Sequence, residues 1–130
     1  ANFLDRILEI AYIGCAMLGI EEIDAAGLAA LMERSDAPLL VDVRSPAEMA
    51  QGMLPGAQIV PMHLVPLRLD EWRSHEKIVF YCRTGARSGQ VCAFLQQQGI
   101  QSVVNLRGGI VDWHRQGLHI EVPPAANLSS

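Results

Sequence analysis

One stretch decides the fold: Ile78-Val79-Phe80-Tyr81-Cys82-Arg83-Thr84-Gly85-Ala86-Arg87-Ser88. Its first four residues favour a β-strand, a glycine and two arginines follow closely, and a helical pattern opens at Ser88. The stretch therefore predicts a strand, a tight loop and a helix, with Cys82 at the turn.

This loop is a favourable setting for a reactive cysteine. A chain that passes from a strand into a helix N-terminus points backbone N–H groups inward, and the helix dipole also favours an anion there. Such a setting, with arginines nearby, favours the thiolate form, so we expect Cys82 to be largely ionised at neutral pH and nucleophilic. Gly85 suits a point where the backbone needs a positive φ. Arg83 and Arg87 can bind an anion delivered to the cysteine.

Length and composition limit the class of protein. The 130 residues suit one domain with a sizeable core. A net charge of −4 argues against nucleic-acid binding, because no basic stripe is present to neutralise phosphates. Three cysteines without a C-x-x-C motif fit a reducing compartment, so we expect a cytoplasmic protein. The four histidines are too scattered for a ligand set, and we expect neither a metal nor a cofactor.

Strands and helices are predicted to alternate along the chain. Besides the strand before Cys82, apolar runs predict strands at 20–23, 39–43, 58–60 and 103–106. Helices are expected at 24–34, from Ser45, at 64–72, at 88–98 and from Gly109 to Gly117. Asp24 is a suitable N-cap, and Ser45-Pro46 with Glu48 has the pattern of a capping box. The alternation implies an α/β domain with a mainly parallel five-stranded sheet and helices on both faces.

The carboxyl ends of these strands bring further residues to the edge that holds Cys82. We expect Asp42 and Arg44 to form a structural pair that braces the loop, in preference to direct contact with a substrate. Arg44 and Arg107 would add to the positive field of the loop arginines. Cys92 is predicted to be a core residue, with a role as a resolving thiol as the less favoured alternative.

A segment before the predicted domain has its own pattern. Residues 3–18 carry apolar side chains at helical spacing, which predicts an amphipathic helix that is too short and too charged to span a membrane. We expect it to pack on the domain or on a second copy; a membrane-surface anchor or the cut end of a longer protein are the alternatives. The predicted organisation is a helical extension over 1–19, a domain over 20–119 and a loose tail over 120–130. Homodimerisation through the extension is a hypothesis.

Four ordered motifs resemble those of a single-domain rhodanese. They are Val41-Asp42-Val43-Arg44-Ser45-Pro46-Ala47-Glu48, Leu54-Pro55-Gly56-Ala57, the Cys82–Ser88 loop, and Asn105-Leu106-Arg107-Gly108-Gly109 with Trp113 downstream. The resemblance covers about residues 20–119 and implies a three-layer rhodanese-like domain. It also implies that Cys82 takes up a sulfane sulfur as a persulfide and passes it to a nucleophilic acceptor.

The chain departs from the family pattern at two places. Many relatives have an aromatic residue where this chain has Met49, and a histidine just before the Pro55 turn, where it has Met53 and Leu54. These look like packing positions. Members specialised for thiosulfate often have two basic residues after the cysteine, whereas here Arg83 is followed by Thr84.

The leading functional hypothesis is a sulfurtransferase of the thiosulfate:cyanide type. Its active loop would comprise Arg83, Thr84, Gly85, Ala86 and Arg87, with the two arginines holding an anionic sulfur donor or a persulfide donor. A thiol, cyanide or a sulfur-carrier protein would accept the sulfur in a double displacement. The alternative is a persulfide carrier or regulatory module with little turnover of its own.

A cysteine phosphatase or arsenate reductase is a weaker candidate. By resemblance, phosphatase loops place five residues between the cysteine and the arginine, but only four lie between Cys82 and Arg87. The shorter loop suits a single sulfur atom better than a tetrahedral oxyanion.

Overall fold

The computed structural model describes residues 19–124. The predicted helix over 3–18, and the dimer contact expected through it, lie outside this range. In chain order, the elements are β1 (Glu22–Ile23), α1 (Ala25–Met32), β2 (Leu39–Asp42), α2 (Pro46–Met49), β3 (Gln58–Ile59), a 3-10 helix (Met62–Arg68), α3 (Leu69–Trp72), β4 (Ile78–Tyr81), α4 (Ala86–Gln97), β5 (Val103–Leu106) and α5 (Gly109–Arg115).

The strands form one five-stranded sheet in the order β1-β5-β4-β2-β3. Every pairing between neighbouring strands of this sheet is parallel. The strand that leads to Cys82, β4, is central: it pairs with β2 from Ile78 to Tyr81 and with β5 on its other side. The predicted α/β domain with a five-stranded parallel sheet is confirmed.

Alternate residues of β4 serve two separate apolar cores, one on each face of the sheet. Ile78 and Phe80, with Cys82 just after the strand, pack with side chains from the 3-10 helix, α3 and α4. Val79 and Tyr81 pack with side chains from α1 and α5. Successive side chains of a strand point to opposite faces, so an uninterrupted apolar run suits a strand that is covered on both. The end of β4, and with it Cys82, is therefore held by packing from both sides.

The helix starts follow the predicted capping signals. Asp24 caps α1, and its Oδ1 accepts a hydrogen bond from the Gly27 N–H at 2.7 Å. Ser45 caps α2, where its hydroxyl and the Glu48 side chain form the complete capping box. Each contact satisfies a backbone N–H that the first helical turn leaves without a partner.

Several boundaries of the helices and strands differ from the predictions. Helix α4 begins at Ala86 and not at Ser88, because Gly85 adopts a φ of 104° and turns the chain directly into the helix. The helix expected over 64–72 is mostly 3-10, since Pro66 within it has no N–H to donate. Glu121 pairs with Met53 in an isolated antiparallel bridge. Within residues 19–124, no helix has both the length and the apolar character needed to cross a bilayer.

Candidate active site

Cys82 follows β4 directly and is 1% exposed. Its Sγ accepts hydrogen bonds from the backbone N–H groups of Gly85, at 3.2 Å, and of Ser88, at 3.4 Å. Gly85 is the N-cap of α4, and Ser88 lies in the first turn of that helix. The sulfur thus lies at a helix N-terminus, where the aligned peptide dipoles and unpaired N–H groups favour negative charge.

A side chain on Gly85 would be crowded and strained. A Cβ built on it would lie 3.3 Å from the Leu106 carbonyl oxygen, and its φ of 104° is one that other residues rarely adopt. The turn that aims two N–H groups at Cys82 therefore depends on this glycine, as the sequence predicted.

The remaining loop residues face outward. Arg83, Thr84 and Ala86 are exposed. Within the described part of the chain, no carboxylate forms an ion pair with Arg83. Its guanidinium is therefore open to an anion from solution.

Arg87 forms an ion pair with another residue of the chain, which the sequence analysis did not predict. Its two terminal nitrogens each donate to one carboxylate oxygen of Glu48, both at 2.8 Å. These hydrogen bonds lower the pKa of Glu48 from 4.5 to about 2. Glu48 thus caps α2, as predicted, and also ties α2 to the first turn of α4. Because Glu48 already occupies its guanidinium, Arg87 could bind a substrate anion only in competition with this carboxylate.

Asp42 and Arg44 form the predicted structural pair. Arg44 Nη2 lies 2.7 Å from Asp42 Oδ2, and both side chains are buried. The same nitrogen donates to the Gly52 carbonyl oxygen at 2.6 Å, so the arginine connects the end of β2 to the loop after α2. Asp42 is the direct counter-charge of Arg44, and the contribution of Arg44 to the positive field stays a prediction.

Arg107 lies on the expected edge of the sheet, where its side chain contacts the start of α1. Its guanidinium is largely exposed, and Nη2 is 3.9 Å from Asp24 Oδ2 at the start of α1. The contribution of Arg107 to the positive field at Cys82 stays a prediction.

A buried pair, Ser88 and Asn105, lies behind the cysteine and was not among the predicted site residues. The Ser88 hydroxyl is 3.4 Å from Cys82 Sγ and 2.6 Å from Asn105 Oδ1. The sequence carried one signal for it: Asn105 interrupts the apolar run of β5, and a buried amide needs partners.

The start of α5 grips the backbone of the cysteine loop. The N–H groups of Ile110 and Val111 donate to the carbonyl oxygens of Cys82, at 3.0 Å, and of Arg83, at 3.1 Å. A Cβ on Gly109 would come within 2.6 Å of the Cys82 oxygen, so only glycine allows this approach. The Gly108-Gly109 pair was interpreted as a turn, and its contact with the loop was missed.

A cleft of about 320 Å³ borders the loop. It is lined on the loop side by Arg83 and on the α5 side by Ile110, Val111, His114 and Arg115. No ion pair to Arg115 forms among the described residues either, so two uncompensated guanidinium groups line this cleft. No group of three or more His, Cys, Asp or Glu side chains in residues 19–124 is arranged to hold a metal ion.

Comparisons with known proteins agree on one family. The model of the rhodanese-like domain matches residues 24–116. A sulfurtransferase of Allochromatium vinosum is 51% identical over 104 residues, which cover 80% of this chain and 97% of that protein. The putative sulfurtransferase YtwF of Bacillus subtilis is 37% identical, over 72% of this chain and 90% of its own. The crystal structure of a rhodanese-like domain protein from Staphylococcus aureus superimposes with a TM-score of 0.72 and 30% sequence identity. The match covers 81% of this chain and 100% of that chain.

Proposed function

This chain belongs to the rhodanese-like domain family, and we propose that it is a sulfurtransferase that carries sulfane sulfur on Cys82 as a persulfide. The observation that carries the proposal is the position of Cys82 Sγ, which receives two backbone N–H groups at the N-terminus of α4. A thiolate and a terminal persulfide sulfur are both anions, and both suit such a site.

The proposed reaction has two displacement steps. In the first, the Cys82 thiolate attacks the sulfane sulfur of the donor, and the bond between that sulfur and the rest of the donor breaks. The electron pair leaves with sulfite, if the donor is thiosulfate, or with a thiolate, if it is a persulfide. In the second, a thiol, cyanide or a sulfur-carrier protein attacks the outer sulfur, and the Cys82 thiolate is regenerated.

The cleft beside the loop supports an anionic donor. Arg83 and Arg115 line it without an ion-pair partner in the described chain, whereas Arg87 is held by Glu48. We therefore assign Arg83, and not Arg87, as the main contact of the donor anion. Guanidinium groups bind oxyanions and carboxylates through paired hydrogen bonds, so both thiosulfate and a carboxylate-bearing persulfide suit this cleft.

The experiment that tests the proposal is the intact mass of the protein after incubation with thiosulfate and, separately, with a thiol persulfide. We expect a gain of one sulfur, about 32 Da, that cyanide or a thiol removes. Cys82→Ser should abolish the gain. Cys92→Ala is the matched control, because Cys92 lies on the buried face of α4 within the core, and its substitution should leave the gain intact.

The outcomes separate the candidate functions. Turnover with ping-pong initial rates supports the sulfurtransferase, and the better donor identifies the donor class. Stable persulfidation with negligible turnover on small molecules would identify a carrier. No adduct from either donor on a folded protein would overturn the proposal and make phosphatase assays the next step.

A further inference from the structure

A chain of hydrogen bonds leads from Cys82 to the edge of the sheet. Ser88 Oγ lies between Cys82 Sγ, at 3.4 Å, and Asn105 Oδ1, at 2.6 Å. Asn105 continues the chain to Glu22 of β1, its direct neighbour across the parallel pair of strands. Ser88 is 0% and Asn105 4% exposed, so the hydrogen bond between these two side chains is shielded from water.

The partners of Asn105 determine which way its amide points. The Asn105 nitrogen Nδ2 is 3.0 Å from Glu22 Oε2 and 3.1 Å from the Gly85 carbonyl oxygen. Both neighbours are acceptors, so the NH₂ group must face them. The amide oxygen then faces Ser88.

This orientation decides where the Ser88 proton goes. A serine hydroxyl has one proton to donate, and the amide oxygen of Asn105 has none. At 2.6 Å, Ser88 must therefore donate to Asn105. Towards Cys82 the hydroxyl presents a lone pair, and within residues 19–124 the sulfur keeps the backbone N–H groups of Gly85 and Ser88 as its donors.

We infer that Asn105 is a positioning residue that withholds the Ser88 hydroxyl proton from Cys82 and so limits how strongly the site stabilises the thiolate. The inference rests on the proposed function only in taking Cys82 as the reacting group. Its value to a sulfur carrier is chemical, because a thiolate that is stabilised more strongly is a weaker nucleophile. Glu22 contributes by holding the NH₂ group of Asn105, which prevents the amide from turning over.

The test is a double-mutant cycle on the reactivity of Cys82 with iodoacetamide at one pH, set low enough that only part of Cys82 is ionised. Asn105→Ala frees the Ser88 hydroxyl to donate to the sulfur. We expect alkylation to accelerate about threefold to tenfold, because the added hydrogen bond raises the thiolate fraction by more than it lowers the nucleophilicity of each thiolate. The ultraviolet absorbance of the thiolate should rise in parallel, and a merely structural role would not produce that rise.

The second arm of the cycle is Ser88→Ala, alone and combined with Asn105→Ala. Ser88→Ala alone should leave the alkylation rate within about twofold of the parent chain, since the hydroxyl proton already serves Asn105. In the Ser88→Ala background, Asn105→Ala should bring no acceleration. Equal acceleration in both backgrounds, or slower alkylation in Asn105→Ala, would overturn the inference.

Ser88→Ala also protects the test against a folding failure of the Asn105 variant. Alanine is small and favours a helix, so this variant should fold. A tenfold fall in its alkylation rate would show that the hydroxyl supports the thiolate, and would by itself refute the inference. Because alkylation needs no sulfur donor, these results stand apart from the mass experiment on persulfidation.

Discussion

Glu48 shows how one side chain can serve the fold and the site together. It completes the capping box of α2 and holds Arg87 in the first turn of α4. Glu48→Gln should keep the capping box, which accepts either residue, but lose the ion pair. Because both side chains are about one-third exposed, we expect a loss of stability of no more than about 1 kcal/mol near neutral pH.

The same pair predicts a pH dependence. Hydrogen bonds from Arg87 lower the pKa of Glu48 from 4.5 to about 2, so the unfolded chain takes up its proton first. The stabilisation is therefore complete above about pH 4.5 and is lost as the pH falls towards 2. Urea unfolding of the parent chain and Glu48→Gln should show a difference that narrows over this range. A difference that stays constant from pH 6 to about 2 would contradict the assignment.

Substitution of Asp42 should lower the stability more than substitution of Glu48, because the Asp42–Arg44 pair is buried. Asp42→Asn leaves the Arg44 guanidinium without a counter-charge, and breaking a buried pair in this way typically costs about 3–5 kcal/mol. Chemical denaturation should detect a loss of that order. The control is Asp36→Asn, which breaks the exposed Arg34 pair and should leave the unfolding midpoint unchanged.

At the scale of elements, α5 is the support of the cysteine loop. Gly109→Ala places a methyl group against the carbonyl oxygens of Cys82 and Arg83 and should displace the loop. We expect the free energy of unfolding to fall by about 1–3 kcal/mol. The rate of Cys82 persulfidation should also fall, because the loop that holds the sulfur is displaced.

The other end of the same helix offers a matched control. Gly117 also has a positive φ, of 74°, but open space surrounds its missing Cβ. Gly117→Ala should therefore lower the free energy of unfolding by about 1–2 kcal/mol through backbone strain alone. The rate of Cys82 persulfidation should not change. Equal effects of the two substitutions on that rate would argue against contact between α5 and the loop as the cause.

Elements were easier to predict than the contacts between them. The apolar run of β4 and the caps Asp24 and Ser45 act within a few residues, so local patterns were sufficient to find them. The pairs Glu48–Arg87 and Asn105–Ser88 join positions 39 and 17 residues apart. Such contacts depend on strand order and helix placement, which one sequence expresses only through isolated polar residues in apolar surroundings.

At the scale of the whole molecule, the charge of the chain and the charge of the site have opposite signs. The chain has a net charge of −4, yet Arg83 and Arg115 line the cleft that borders the cysteine loop. Anionic donors should therefore be attracted locally, and salt should weaken that attraction.

Arg83→Gln should raise KM for an anionic donor roughly fivefold while changing kcat much less, and the salt dependence of kcat/KM should flatten. Arg107→Gln is the control, since Arg107 lies on the same edge of the sheet but near Asp24. Steady-state kinetics at two ionic strengths should measure kcat and KM for the parent chain and for both variants. Equal changes in both variants would point to overall charge as the cause.

The sheet also has a consequence for behaviour at high concentration. Its two outer strands, β1 and β3, are only two residues long each, and the long strands lie inside. A strand of another molecule would find few unpaired N–H and C=O groups to join along these edges. The arrangement that centres Cys82 in the sheet thus also discourages aggregation through edge-to-edge pairing.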